Sequence, residues 1–338
     1  MNIKKHGKIN TLLVGCGNIA GGFEFDQSIL PSTHAGAYKY HSDFNITACV
    51  DPDDIRLKQF SVDWEVKYTF LNMKEVIESG LDFDVVSICS PTQYHYSNIC
   101  DVLKLKSKPK LIFCEKPLAK KYEEAIDIVR MCEQAGVLLA VNHTRRWDPK
   151  VIELRNFIAK GELGEVRSVV GYYNKGILNN GSHMVDLLLS LFDSLNIVTA
   201  TAVVNDYFED DPTITALLKT KSNLPVHLVA AHASDYAIFE LEIIGSKQCV
   251  TMRDGGLSWS SRTVVENSRY KGYKNLEKDQ YSEGKYLEAM IGAVENIHNA
   301  ITKGGQLLCT GNEACAAHKI CHDLLEIASK NSRNKQDD

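Results

Sequence analysis

Short apolar, β-branched runs alternate with amphipathic stretches over residues 1–147. Ile9–Val14, Ile46–Asp51, Val85–Ser90, Leu111–Glu115 and Val137–Asn142 carry the strand-like pattern, and Lys74–Ser79, Tyr96–Leu105 and Lys121–Ala135 have helical spacing. Strands separated by helices pair in parallel through right-handed crossovers. The pattern therefore predicts a Rossmann-type α/β doubly wound parallel sheet, with ligand bound beyond the carboxyl ends of its strands.

After Trp147-Asp148-Pro149 the rhythm changes. A helix over Lys150–Lys160, a strand over Glu165–Asn174 and a helix over Ser182–Phe192 precede strands near 196–206, 213–220, 225–234, 237–245 and 247–253. Consecutive strands pair antiparallel, so residues 148–338 are expected to form an α+β domain with an open, mostly antiparallel sheet. Ser258–Gly284 is polar with weak periodicity and reads as either a long excursion or a mobile loop. Helices over Lys285–Thr302 and Asn312–Ser329 close the chain, with Asn312 as an N-cap, and Asn331–Asp338 is expected to fray. These last helices have the option of packing back on the first domain.

Composition narrows the function classes. The 338 residues suit two domains and a two-lobed enzyme, and 38 basic against 43 acidic residues leave no basic block outside Met1–Lys8 and Lys104–Lys110. Nucleic acid and anionic membranes are not expected partners. Neither a leader-like segment before Thr11 nor an apolar run of membrane-spanning length is present, which points to the cytoplasm. Ten cysteines stand singly, without a C-x-x-C pair, and read as reduced, mostly buried thiols.

The run Ile9–Ala20 is a strand feeding a G-x-G-x-x-A turn and then a helix. Gly15 permits the tight turn, Gly17 lets the backbone approach a pyrophosphate, and Ala20 lets helix and strand pack closely. Asn18 and Ile19 complete the turn, with phosphate expected at the helix N-terminus. Asp51, ending the second strand, would accept hydrogen bonds from the adenosine ribose and repel a 2′-phosphate, favouring NAD. It follows Ala20 by 31 residues, later than the usual spacing, because Phe23–His41 holds an extra stretch with Pro31, His34 and Gly36. A turn-initiating Asp before Pro52 is the competing account, and Arg56 keeps NADP open.

Gly15-Cys16-Gly17-Asn18-Ile19-Ala20, then Ser90-Pro91-Thr92 with His95, then Cys114-Glu115-Lys116-Pro117-Leu118, resemble in order the Gfo/Idh/MocA family of sugar and cyclitol oxidoreductases. Asn142–Trp147 is similar to its Asn-x-x-Arg-Phe segment, and Gly181–Asp186 to its G-x-H-x-x-D helix start. The resemblance implies a nucleotide-binding lobe followed by an open-faced sheet lobe. It implies cofactor contacts at Ser90, Pro91, Thr92, His95, Glu115 and Lys116. Catalysis by Lys116, on the reacting hydroxyl and nicotinamide ribose, and by His183, as proton acceptor and donor, is implied in the same way. A homodimer or homotetramer is expected, with the open sheet face buried between subunits.

One residue departs from the family pattern. Asn179 stands four residues before His183, where the family commonly has Asp, and an amide can orient substrate but cannot take a proton or stabilise imidazolium as a carboxylate does. Candidate substrate contacts by position are Arg145, Arg146 and Trp147, and Tyr172, Tyr173, Asn174 and Lys175. Arginines beside aromatics suit a phosphate or carboxylate, hence a nucleotide sugar or acidic sugar, while pairing with the helix Lys150–Lys160 is the structural alternative. Cys315, His318 and His322 share a helix face, but ordinary packing is preferred to a metal there. The expected activity is NAD(P)-dependent hydride transfer at a hydroxyl or keto carbon of a sugar, amino sugar or nucleotide sugar. An NAD-dependent glycoside hydrolase and a non-catalytic NAD-binding sensor are the alternatives.

Overall fold

A computed structural model describes residues 7–23 and 30–334, with side chains through 330. Six strands, β1 (Ile9–Val14), β2 (Phe44–Val50), β3 (Tyr68–Phe70), β4 (Val85–Ile88), β5 (Leu111–Cys114) and β6 (Leu138–Val141), form a wholly parallel sheet in the order β3-β2-β1-β4-β5-β6. Order reverses between β1 and β4, the topological switch point where such sheets take their ligands. Leu12, Leu13, Val85, Val86, Ile88 and all of β5 are sealed from water, and this burial on both faces explains their unbroken apolar runs.

The crossovers are α1 (His34–Tyr40), α2 (Asp54–Asp63), α3 (Met73–Ser79), α4 (His95–Val102) and α5 (Tyr122–Ala135). Asp53 caps α2 by accepting from the amides of Ile55 and Arg56, Asn72 caps α3 through the Glu75 amide, and left-handed Gly80 and Gly136 end α3 and α5. The expected pattern lacks α1, α2 and β3. Small residues make up much of α1, α2 buries only Leu57 and Phe60, and β3 is three residues long, so none has a readable apolar period.

The chain divides into two units. The first runs through Trp147 and takes in Leu287–Cys315, including α8 (Ala289–Lys303), whose Met290, Ala293, Val294 and Ile297 lie in its core. The second holds Asp148–Tyr286 and the chain from Ala316 onward, which is most of α9 (Gly311–Asn334).

In the second unit, Asp148 caps α6 (Pro149–Ala159), and α7 spans Ser182–Phe192. Its nine-stranded sheet contains β7 (Val166–Tyr173), β8 (Asn196–Phe208), β9 (Asp211–Lys219), β10 (Pro225–Ala230), β11 (Phe239–Gly245), β12 (Gln248–Arg253), β13 (Ser258–Glu266), β14 (Lys274–Leu276) and β15 (Gln280–Glu283). The path is β14-β13-β12-β11-β7-β10-β9-β8, with β15 also on β13, and every pair is antiparallel except β7 with β10.

Three local expectations are corrected. The excursion or loop over Ser258–Gly284 is the β13–β15 part of this sheet, where exposed side chains hide the strand period and only a few residues such as Trp259 are buried. Asn312 is not the N-cap of α9. Thr310 stands before the helix and donates from both its amide and its hydroxyl to the Glu313 carboxylate, the backward half of a capping box, while Asn312 donates to Glu133 at 3.2 Å. The helix expected after the glycine turn is a single π-helical turn, Asn18–Gly22. The frayed tail expected over Asn331–Asp338 lies outside the residues whose side chains are described. Among the described residues, no helix is long and apolar enough to cross a membrane.

Candidate active site

In the first unit the strands end at one edge, and their loops carry most of the expected site. Gly15 follows β1 with φ of +92°, and a Cβ there would lie 2.6 Å from the Ser90 amide nitrogen, so only glycine fits. Gly17 differs: among the described residues, a Cβ on it would meet nothing within 4 Å. Its backbone thus faces open space that a dinucleotide can approach. Asn18 is exposed, Ile19 half-buried, and Ala20 is buried with its amide donating to the Gly17 carbonyl at 3.1 Å. The turn therefore fits a pyrophosphate, held by backbone rather than by a long helix.

Asp51 closes β2 and is 3% exposed. One oxygen accepts from the Cys16 amide at 2.8 Å and the other from the Asp53 amide at 2.9 Å, with the Arg56 guanidinium 3.4 Å away. Both bonds use lone pairs, but a carboxylate has about four acceptor sites, which leaves capacity for ribose hydroxyls. Arg56 also pairs with Asp53 and is half exposed.

Ser90 and Pro91 lead from β4 into the short turn Thr92–Tyr94. His95 departs from the expected cofactor contact because its ring is buried and turned to the backbone. Nε2 lies 2.8 Å from the Ser90 carbonyl and Nδ1 3.0 Å from the Pro117 carbonyl. Burial lowers this imidazole below its ordinary pKa despite those bonds, and a neutral ring donates to one carbonyl at a time. His95 thereby ties the Ser90 loop to the loop after β5.

Glu115, Lys116 and a cis Pro117 follow β5. Glu115 Oε1 accepts from His34 Nε2 at 2.9 Å and from Asn142 Nδ2 at 2.6 Å. Burial pushes this carboxyl up. The bonds from His34 and Asn142 and the charge of Lys116 outweigh burial, so it lies below the ordinary carboxylate value. Sequence reasoning gave His34 no role; it lies in α1, far from Glu115 along the chain, and a sheet edge brings them together.

Two expected substrate contacts in this unit are corrected. Trp147 is 1% exposed, stands edge-on to Phe113 at 5.9 Å and donates to Asn296 at 3.0 Å, so it is core. Arg146 is buried and donates to the Leu308 carbonyl at 3.1 Å, anchoring the chain before α9 instead of a ligand. Arg145 is half-buried beside them.

In the second unit, β7 delivers Tyr172, which is half-buried, and Tyr173, which is buried with its hydroxyl donating to the Ile214 carbonyl at 2.8 Å. Asn174 is buried and bridges the Tyr236 carbonyl at 2.6 Å and the Ile238 amide at 3.2 Å. Tyr173 and Asn174 are thus committed to the backbone, contrary to the expected substrate role. Lys175 adopts φ of +65°, its amide donates to Asp206 at 2.8 Å and its ammonium lies over the Tyr207 ring at 5.2 Å. Asp211 accepts from the amides of Leu178 at 2.7 Å and Asn179 at 2.9 Å, fixing the π-helical segment Gly176–Gly181 that leads into α7. Asn179 and His183 are both half-buried, one turn apart across this junction.

Other reactive groups have ordinary explanations. Burial raises the Cys89 and Cys114 thiols well above the usual range and Cys132 to about 12, which removes nucleophilic character. Among the described residues, His41, Glu295 and His298 form a group within reach of one metal ion. Its members are already matched, His41 with Glu295 at 3.2 Å and His298 with Asp43 at 3.1 Å.

Comparison with known proteins agrees with this geometry. Residues 9–143 match the family described as an oxidoreductase family with an NAD-binding Rossmann fold, GFO_IDH_MocA. Inositol 2-dehydrogenase of Rhizobium meliloti is 27% identical over 271 residues, covering 72% of this chain and 78% of its own. The Bacillus subtilis scyllo-inositol 2-dehydrogenase (NADP(+)) is 22% identical over 294 residues, covering 78% and 80%. The solved WlbA dehydrogenase of Bordetella pertussis, in complex with NADH and UDP-GlcNAcA, shares the fold, with a TM-score of 0.76, 17% identity and coverage of 96% and 97%. With the switch-point glycine turn and the Glu-Lys-Pro element, residues 9–143 match the Gfo/Idh/MocA family of NAD-binding oxidoreductases, and the similarity to inositol dehydrogenases extends beyond that segment.

Proposed function

We propose that the chain is a nicotinamide-dependent dehydrogenase or reductase acting at a hydroxyl or keto carbon of a cyclitol or sugar, including amino and nucleotide sugars. The Glu115-Lys116-Pro117 element carries this reading, because Glu115 is held by His34 and Asn142 at the same sheet edge as the open Gly17 turn. When bound, the nicotinamide supplies or accepts the hydride. The chain's own groups manage the oxygen. Lys116 donates a hydrogen bond to it as the C–H bond breaks, and His183 takes the hydroxyl proton on oxidation or returns it on reduction. Asn179 orients substrate by hydrogen bonding and leaves the proton to His183.

Asp51 favours NAD through the ribose hydroxyls, and Arg56 beside it gives NADP some access. Exposed Val198, Val203, Tyr207 and Phe208 on β8 support self-association as a homodimer or homotetramer, and a monomer by light scattering would count against that part. Cysteines that stand singly along the sequence, without a C-x-x-C pair or a compact secretory framework, suit a reducing compartment, the cytoplasm. The reading as a whole is tested by following reduced nicotinamide while purified protein meets a panel of cyclitols, sugars and nucleotide sugars. Turnover lost in Lys116→Ala with cofactor binding retained is expected; unchanged turnover in that variant overturns the role of Lys116.

A further inference from the structure

We propose that His34 is a positioning residue for the hydride-transfer site, the last donor in a buried chain Tyr38→Ser87→His34→Glu115 that aligns the Glu-Lys-Pro element. The direction of the chain follows from what each group can do. An ionised carboxylate only accepts, so Nε2 of His34, 2.9 Å from Glu115, carries the proton. A neutral imidazole then has a lone pair on Nδ1, and Ser87 Oγ, 3.1 Å away, donates to it. With its single hydrogen spent, Ser87 accepts from the Tyr38 hydroxyl at 2.8 Å. Burial raises the Tyr38 phenol well above its ordinary pKa and keeps it a donor.

The surroundings hold this arrangement in one geometry. His34, Tyr38 and Ser87 are fully buried, and Phe113 packs on the His34 ring at 4.5 Å between centroids. His34 and Tyr38 lie one turn apart on α1, Ser87 is on β4, and Glu115 follows β5. Asn142, after β6, donates to the same Glu115 oxygen from the other side. Three segments of the sheet edge and one helix therefore converge on the carboxylate directly preceding Lys116. Among the described residues, the charged and titratable groups facing Glu115 are His34, Lys116, His95 and the Cys89 and Cys114 thiols; burial keeps both thiols neutral and lowers the His95 imidazole.

This inference rests on the reading of Lys116 as the catalytic lysine, and its test separates the two. Nitrogen-15 NMR of histidine-labelled protein reads the His34 ring without any turnover: a proton on Nε2 with Nδ1 as the acceptor is expected, and a proton on Nδ1 overturns the chain. In the activity assay, His34→Leu is expected to lower kcat by about 10²-fold through misplacement of the Glu-Lys-Pro element, with cofactor affinity retained. Its acid limb should move to higher pH, because burial of Glu115 is then opposed by fewer partners. His34→Gln, whose amide can donate to Glu115, should recover most of the rate and restore the limb. Ser87→Ala, a smaller change to the core, should give a weaker loss of the same kind. Equal rates in His34→Leu, His34→Gln and wild type overturn the proposal. Absence of turnover in wild type itself would instead overturn the functional reading and leave the NMR result to decide the chain.

Discussion

The Asp51 carboxylate accepts the Cys16 amide at 2.8 Å, so the residue expected to recognise the cofactor ribose also braces the glycine turn. Replacement by Asn should therefore act on both. Loss of charge-assisted bonds worth about 1.5–3 kcal/mol each predicts NAD affinity weaker by about tenfold or more. NADP, freed from repulsion and offered Arg56, should weaken less. Fluorescence titration of the reduced cofactors reads the two affinities, and an equal loss for both would contradict the selectivity assigned to Asp51.

Gly15 and Gly17 should respond differently to the same methyl group. Gly15→Ala drives a Cβ into the Ser90 backbone at positive φ, and the cofactor-free protein should melt at a lower temperature. Gly17→Ala meets no atom of the described residues within 4 Å, so the melting temperature of the free protein should hold while cofactor-induced stabilisation shrinks. Thermal unfolding with and without NAD checks both, and a Gly17→Ala variant stabilised by cofactor as strongly as wild type would argue against pyrophosphate at that turn.

Acid should destabilise the first unit in two stages. The buried His95 imidazole has a depressed pKa, so the unfolded chain takes up its proton first and stability falls as pH drops below the ordinary histidine value. The depressed Glu115 carboxyl adds stability that is fully present above the ordinary glutamate value and is lost as pH falls through its lower folded value. Chemical denaturation across pH should show wild type and Glu115→Gln separated near neutrality and converging in strong acid. A constant difference at all pH values would contradict the ionised, hydrogen-bonded state of Glu115.

In the second unit, Asp211 accepts the Leu178 amide on one carboxylate oxygen and the Asn179 amide on the other, and asparagine would turn an NH2 donor toward one of those two amides. Asp211→Asn should cost about 1.5–3 kcal/mol of stability. It should also reduce turnover by loosening the segment that positions Asn179 and His183, while cofactor affinity stays constant. A variant with unchanged melting and unchanged kcat would show that this clamp has no part in positioning them.

The strands and longer helices were legible because burial imposes a pattern: β1, β4 and β5 are apolar throughout, and α5 and α7 keep helical period. Elements that bury little, such as β13–β15 and α2, leave no such mark. Site residues divide along a similar line. Gly15, Gly17, Asp51 and Lys116 sit in local motifs whose chemistry can be read in order along the chain. Trp147, Arg146, Tyr173 and Asn174 have side-chain types suited to ligands, but their partners are a buried ring, an asparagine and backbone groups distant in sequence. His34 shows the converse, since its tie to Glu115 exists only once β4 and β5 lie side by side.

The central claim is hydride transfer dependent on Lys116. Absorbance of reduced nicotinamide, recorded for wild type and Lys116→Ala with NAD and a panel of cyclitols, sugars and nucleotide sugars, tests it most directly. The account predicts substrate-dependent NADH formation by wild type and none by Lys116→Ala, with NAD stabilising both proteins against heat. NAD binding without NADH formation from any member of the panel, or equal rates in the two proteins, would contradict it.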